Sequence, residues 1–199
     1  MDIKLAIFEL KGCLLNATTS QCYEECLSQT IAQVIGIEEP IKDRLSYKNS
    51  TDPGVFVEIF EKNMSRLPSA GEWGNTKRTL TQLVSQNKSK LQLVAGANQI
   101  FSALDKAGWK VVIATGTWKE VGEMTLEASG LPFDHISHLA FSNNDFVERA
   151  KLLQTAQSEA LAALGAKSAQ RTVVIGGSAW ELKAASEANF PFVGVASST

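Results

Sequence analysis

The 199-residue chain lacks any long hydrophobic run: its apolar stretches span only a few residues, against the ~18 or more that a membrane-spanning helix needs. An excess of charge of one sign is also missing. Lys and Arg number 19 against 21 Asp and Glu, a net charge of −2, so no basic field exists to hold nucleic acid or an anionic membrane. Cysteine is scarce: three residues with no disulfide spacing suit reduced thiols in a cytoplasm. The opening Met1-Asp2-Ile3-Lys4 leads into a strand-like run and has neither the n-region nor the cleavage site of a secretory signal. Repeats and low-complexity segments are absent. What is present is 44% hydrophobic content in a length that fits one core with a modest insertion. A globular cytoplasmic protein is expected.

Two unlike stretches divide the chain. Residues 91–199 alternate β-rich apolar runs with helical spacing. The runs are Lys110 to Ala114, Ile136 to Phe141, Thr172 to Ile175 and Phe192 to Val195, and Ile3 to Leu10 adds one more. Between them lie helical stripes: Ile100, Phe101, Leu104, Ala107; then Val121, Met124, Ala128; then Val147, Ala150, Leu153, Ala156, Ala160, Leu164. Strands apolar on both faces, alternating with helices, predict an α/β fold with a parallel sheet covered by helices. Residues 16–90 offer no strand. Cys22, Tyr23, Cys26, Leu27, Ile31, Val34 and Ile35 mark one helix, Val55 to Met64 and Thr76 to Val84 two more, punctuated by Pro40, Pro53, Pro68 and Gly71. The predicted organisation is an α/β core of residues 1–15 and 91–199 carrying a small helical cap at 16–90.

In an open parallel sheet, ligands bind beyond the carboxyl ends of the strands. Three ends are informative: Phe8-Glu9-Leu10-Lys11-Gly12-Cys13-Leu14-Leu15, Val112-Ile113-Ala114-Thr115-Gly116-Thr117, and Val174-Ile175-Gly176-Gly177-Ser178-Ala179-Trp180-Glu181. With the helical insert after the first of them, this order resembles the haloacid dehalogenase superfamily along essentially the whole chain. That resemblance implies a Rossmann-like core and phosphoryl-transfer chemistry. The family's first strand ends in Asp-x-Asp-Gly-Thr-Leu, a later one in Thr or Ser, a basic residue follows on a helix, and a fourth motif reads Gly-Asp-Ser-x-x-Asp. By position the resemblance makes Thr115 the phosphate-gripping hydroxyl, with the Gly116 and Thr117 amides at the start of the next helix as an anion cradle. A threonine there equally suits a helix N-cap. Asn143-Asn144-Asp145-Phe146-Val147-Glu148-Arg149 resembles a variant of the third motif that favours Arg149 as the basic group, with Lys151 as the competing choice. Glu181 matches the last acidic position and is read as structural.

The departures from the pattern bear on activity. Glu9 stands where the family has its nucleophilic Asp, which forms an acyl-phosphate. Its extra methylene moves the carboxylate outward by more than ~1 Å, a displacement that can cost about 100-fold. Lys11 replaces the general acid/base; an ammonium only donates and cannot activate water. Gly177 replaces a magnesium-binding Asp. Magnesium is the family's default cofactor and favours anchoring carboxylates, so a site reduced to Glu9, Gly177 and Glu181 is expected to bind none. Lys11 is expected in or beside the vacated metal site, paired with Glu9 or Glu181, or else turned to solvent. The leading functional expectation is a degenerate phosphatase site that binds a small phosphorylated or otherwise anionic molecule or a partner. The alternative is an active hydrolase using Glu9 as an altered nucleophile with Thr115 and Arg149 or Lys151. A metal-free dehalogenase reaction fits less well, because that branch keeps an Asp nucleophile.

Other chemistry-bearing residues read as packing. Cys13 has no histidine partner assigned by any motif and suits a small apolar role. Cys22 and Cys26, at i and i+4, lack two further metal ligands, and His135 and His138 make a poor zinc pair. Trp73, Arg44 and Lys48 in the helical insert fit substrate contact and ordinary packing or solvation equally well.

Overall fold

The computed structural model describes residues 3–38, 41–144 and 148–195. Pro40 and the segment Asp145-Phe146-Val147 of the third motif lie outside the described residues. Five strands, β1 (Ile3–Phe8), β2 (Trp109–Trp118), β3 (Ile136–Ser142), β4 (Ala169–Gly176) and β5 (Phe192–Gly194), form one sheet in the order β3-β2-β1-β4-β5. Every pairing is parallel. The strand periodicity of two sends alternate residues to opposite faces. Leu5 and Ile7 of β1 join Val112, Val174, Leu153 and Ala156 on one face, while Ala6 and Phe8 join Val111, Ile113, Ile175 and Phe101 on the other. Helix α4 (Ala97–Lys106) packs on β2 from the second face, while α6 (Arg149–Ala163) and α7 (Ala179–Glu187) belong to the first.

Between β1 and α4 the described chain forms no strand. It folds into α1 (Ala17–Ile35), α2 (Asp52–Met64) and α3 (Ala70–Gln86), with a cluster of their own built on Tyr23, Leu27, Ile31, Phe56, Phe60 and Leu80. Local chemistry sets the ends. Asn16 caps α1 by accepting from the Thr19 amide, Thr51 caps α2 with Pro53 in its first turn, and Ser69 and Glu72 form a reciprocal capping box on α3. Trp118 and Val121, from β2 and α5 (Lys119–Ser129), join this cluster. Trp118 meets Phe56 and Trp73 edge-on at centroid distances of 6.5 and 6.1 Å, so aromatic packing ties the helices to the sheet ends.

Two expectations need correction. Strand β2 does not stop near Ala114 but runs on through Trp118, so Gly116 and Thr117 belong to the strand. The α5 N-cap is Trp118, without a side-chain capping bond, and Thr115 is therefore not an N-cap. Ile100, on the expected apolar stripe of α4, is 40% exposed, while Phe101 is fully buried.

Candidate functional site

The site lies where β1 separates β2 from β4, the point at which chain order reverses across the sheet. Glu9 is the first residue beyond β1, and its amide donates to the Ile175 carbonyl at 3.0 Å. Its carboxylate is buried, and both oxygens are engaged. Oε1 accepts from the Leu10 amide at 2.9 Å and from the Thr115 hydroxyl at 2.7 Å, and Oε2 pairs with Arg149 Nη1. Arg149, first residue of α6, also donates from Nε to Ser50 Oγ at 3.2 Å and from Nη2 to the Ser50 carbonyl at 3.3 Å. A side chain at Gly116 would strike this guanidinium, whose Cζ would lie 2.9 Å from an added Cβ. Glycine is what lets Arg149 pass the end of β2.

Glu181 sits behind the pair. Its Oε1 lies 4.0 Å from Arg149 Nη1, and its Oε2 accepts from the Gly177 and Ser178 amides at 2.7 and 3.1 Å. Burial, then the neighbouring Glu9 carboxylate, pushes Glu181 up to about 7, against the pull of Arg149. The folded protein thus keeps this proton to higher pH than the unfolded chain does. Stability then falls as pH rises from the ordinary carboxylate range to about 7. Glu181→Gln keeps an acceptor for both amides and removes the titration. Denaturant melts should show the parent losing ~1–3 kcal/mol relative to Glu181→Gln between pH 5 and 8; parallel pH profiles would contradict this.

Lys11 pairs with neither Glu9 nor Glu181, and it does not turn to solvent. Its Nζ sits 3.8 Å over the Tyr23 ring and donates to Asp52 Oδ1 and Oδ2 at 3.1 and 3.3 Å. Asp52, the first residue of α2, is fully buried. It also pairs with Arg44 Nη2 at 2.7 Å and accepts from the Tyr23 hydroxyl at 2.7 Å. Arg44 grips Glu24 with Nε and Nη2 and donates from Nη1 to the Ser50 carbonyl at 2.8 Å. Tyr23 and Thr117 share a short hydrogen bond. Burial opposes the charge on Asp52, but Lys11 and Arg44 outweigh it and hold the carboxyl well below its usual range. Burial, aided by Arg44 and countered by Asp52, lowers the Lys11 ammonium.

A sequence model of haloacid dehalogenase-like hydrolases matches residues 3–189. The chain belongs to that family. Solved structures agree on the fold. A hydrolase from Pseudomonas syringae is 20% identical, with 95% of this chain and 83% of that one covered and a TM-score of 0.69. CbbY from Rhodobacter sphaeroides, solved with phosphate, is 18% identical over 98% and 87%, with a TM-score of 0.71. A haloacid dehalogenase-like family protein from Streptococcus pneumoniae is 13% identical over 96% and 84%, with a TM-score of 0.60. No curated protein matches the sequence significantly, and no described helix is long and apolar enough to cross a membrane.

For a haloacid dehalogenase-like hydrolase the donors at these strand ends fit magnesium poorly. A side chain at position 177 would collide with the Gly12 carbonyl, with an added Cβ 2.7 Å from the Gly12 carbon, so the backbone occupies the space an Asp there would use. The Lys11 ammonium lies at the same strand end, and the Glu9 oxygens are already bound. Among the described residues no group of three or more His, Cys, Asp or Glu is placed to hold a metal.

Of the sequence-predicted residues, the structure brings Glu9, Thr115 and Arg149 together directly. Thr117 bonds Tyr23, and Gly116 makes room for Arg149. Lys151 is exposed on α6. Cys13 is buried, its thiol donating to the Ile175 carbonyl at 3.5 Å, and burial pushes it up. Cys22 and Cys26 are buried, and His138 faces Glu159 at 3.0 Å. Arg44 is no solvated charge but a buried one, Trp73 packs on Phe56, and Lys48 is exposed. Sequence reasoning missed Asp52, Glu24 and Ser50, and it took Tyr23 for core alone. The one local signal was an aspartate at the start of a helix, which reads as ordinary capping. Two cavities flank the network: one of about 390 Å³ bordered by Glu9, Lys11, Ser20, Arg149 and Trp180, and one of about 230 Å³ bordered by Arg44, Lys48, Arg149, Trp180 and Lys183.

Proposed function

We propose that this haloacid dehalogenase-like protein does not carry out magnesium-dependent phosphoryl transfer and instead binds a small anionic molecule, or an anionic group of a partner, in the cleft beside Arg149. The observation that carries this reading is the state of the Glu9 carboxylate. A nucleophile needs an oxygen free to attack, yet here one oxygen accepts two hydrogen bonds and the other faces a guanidinium. Freeing the second would break a charge-assisted pair, a class of hydrogen bond that contributes about 1.5–3 kcal/mol. At the position of the family's general acid/base, the Lys11 ammonium donates to Asp52 and cannot activate water for the hydrolysis half of the reaction. The anion reading draws support from four cations, Arg44, Lys48, Arg149 and Lys183, bordering one cavity against two acids, Glu148 and Glu187. CbbY from Rhodobacter sphaeroides, of the same fold, has been solved with phosphate and, as a variant, with xylulose-1,5-bisphosphate. Family membership is what favours the second reading, a hydrolase with Glu9 as an altered nucleophile. An aryl phosphate and a phosphomonoester panel, with and without magnesium, separate the two. Turnover no higher than that of Glu9→Ala is expected; magnesium-dependent turnover that Glu9→Ala abolishes would establish the hydrolase.

A further inference from the structure

We infer that Glu9 is a tethered occupant of a latent anion-binding site, whose true walls are the Leu10 amide, the Thr115 hydroxyl and the Arg149 guanidinium. These donors differ in kind, come from three places in the chain, and converge on one carboxylate that is 4% exposed. Each is positioned by something other than the Glu9 side chain. The Leu10 amide follows the Glu9 backbone, which is fixed to β4 through the Ile175 carbonyl. Thr115 is part of β2. Arg149 is held by the hydroxyl and carbonyl of Ser50 and lies against Gly116. Shortening Glu9 therefore leaves a set of donors still aimed at one point, and the cavity of about 390 Å³ that Glu9 and Arg149 border gives a free anion a way in. Among the described residues a second carboxylate, Glu181, lies 4.0 Å from Arg149 and is committed to the Gly177 and Ser178 amides.

A carboxylate on a short tether competes at an effective concentration of about millimolar or above. In the parent protein, a free carboxylate or phosphate must therefore exceed that concentration to displace it. A ligand whose anionic group is backed by further contacts in the cleft would do so at lower concentration. The site is self-blocked, and it selects for larger anionic molecules, carboxylates or phosphoryl compounds, over the bare ions. This inference rests on the reading that Glu9 is not a nucleophile, but its test uses no turnover, so either can fail alone.

The test is thermal melting of the parent, Glu9→Ala and Glu9→Gln in acetate, phosphate and chloride at matched ionic strength. Acetate restores the carboxymethyl group that Glu9→Ala removes. Glu9→Ala is expected to gain about 3–6 °C at acetate tenfold above its dissociation constant, with a comparable gain in phosphate and none in chloride. The parent and Glu9→Gln, whose side chains still fill the space, are expected to show no such gain. Adding Thr115→Val to Glu9→Ala should weaken the acetate response. An acetate gain of equal size in the parent or in Glu9→Gln would overturn the inference. So would a Glu9→Ala protein that no anion stabilises, or one recovered unfolded that does not refold in acetate.

Discussion

Asp52→Asn should lower the melting temperature by about 10 °C. Asp52 is fully buried and faces two cations, Lys11 and Arg44, with the Tyr23 hydroxyl as a third donor. Asparagine keeps the shape and one acceptor but removes the charge, leaving Lys11 without its anion and Arg44 with Glu24 alone. Breaking a buried pair from one side costs roughly 3–5 kcal/mol, because the orphaned charge stays desolvated. In a chain of this size each kcal/mol moves the midpoint by about 2–4 °C. Lys11→Met is the informative comparison. It deletes one cation and its contact with the Tyr23 ring, leaves Asp52 with Arg44 and the Tyr23 hydroxyl, and keeps an unbranched apolar side chain in place. Its loss should be much smaller. The pH behaviour follows from the depressed Asp52 carboxyl: its contribution is whole above the ordinary carboxylate range and is lost as pH falls from about 3.8 toward the folded value. Asp52→Asn should therefore narrow the stability gap to the parent in strong acid. A midpoint within about 2 °C of the parent at neutral pH would show that the network is not a latch between α2 and the sheet.

The same cluster explains how far the sequence could be read. The α/β alternation was visible because parallel strands buried on both faces appear as short unbroken apolar runs, and Val111 to Ala114 or Val173 to Ile175 are short and rich in β-branched residues, which favours strand over buried helix. The end of β2 was not visible. Thr115-Gly116-Thr117 carries turn-like residues, yet they stay extended: Thr115 is drawn to Glu9, Gly116 is the gap for Arg149, and Thr117 reaches Tyr23. Glu9, Thr115 and Arg149 were legible as neighbours because the resemblance to the family's motif order places all three around one end of the sheet. Arg149 and Lys151 differ by two residues, about 200° around a helix, so only one could face the site. The partner of Lys11 was illegible. Asp52 lies 41 positions away, and only the seating of α2 over the strand ends brings the two together. A sequence shows which charges exist near a site but not which helical segment will carry the counter-charge.

That distinction decides what repairing the family motifs would do. Glu9→Asp, Lys11→Asp and Gly177→Asp together restore the family's carboxylates, and the sequence alone leaves open whether the triple variant gains magnesium-dependent phosphatase activity. The structure argues against it. Lys11→Asp turns a cluster of two cations facing the Glu24 and Asp52 carboxylates into one cation, Arg44, facing three, in a buried place. Gly177→Asp drives a Cβ into the Gly12 carbonyl, a backbone collision that no rotamer relieves. Glu9→Asp withdraws the carboxylate from Thr115 and Arg149. The like-charge burial and the collision together should cost several kcal/mol, against the 5–15 kcal/mol that holds a typical domain folded. The expected outcome is a poorly soluble or low-melting protein without phosphatase activity, with most of the damage carried by the Lys11→Asp and Gly177→Asp single variants. Adding Asp52→Asn to the triple variant should recover part of the stability, because it removes the carboxylate that now repels Asp at position 11. A triple variant with the parent's melting point and magnesium-dependent turnover would mean instead that the helical insert and the loops at residues 12 and 177 rearrange easily. The ion network would then be an incidental consequence of the lost motifs rather than what the site has been rebuilt around.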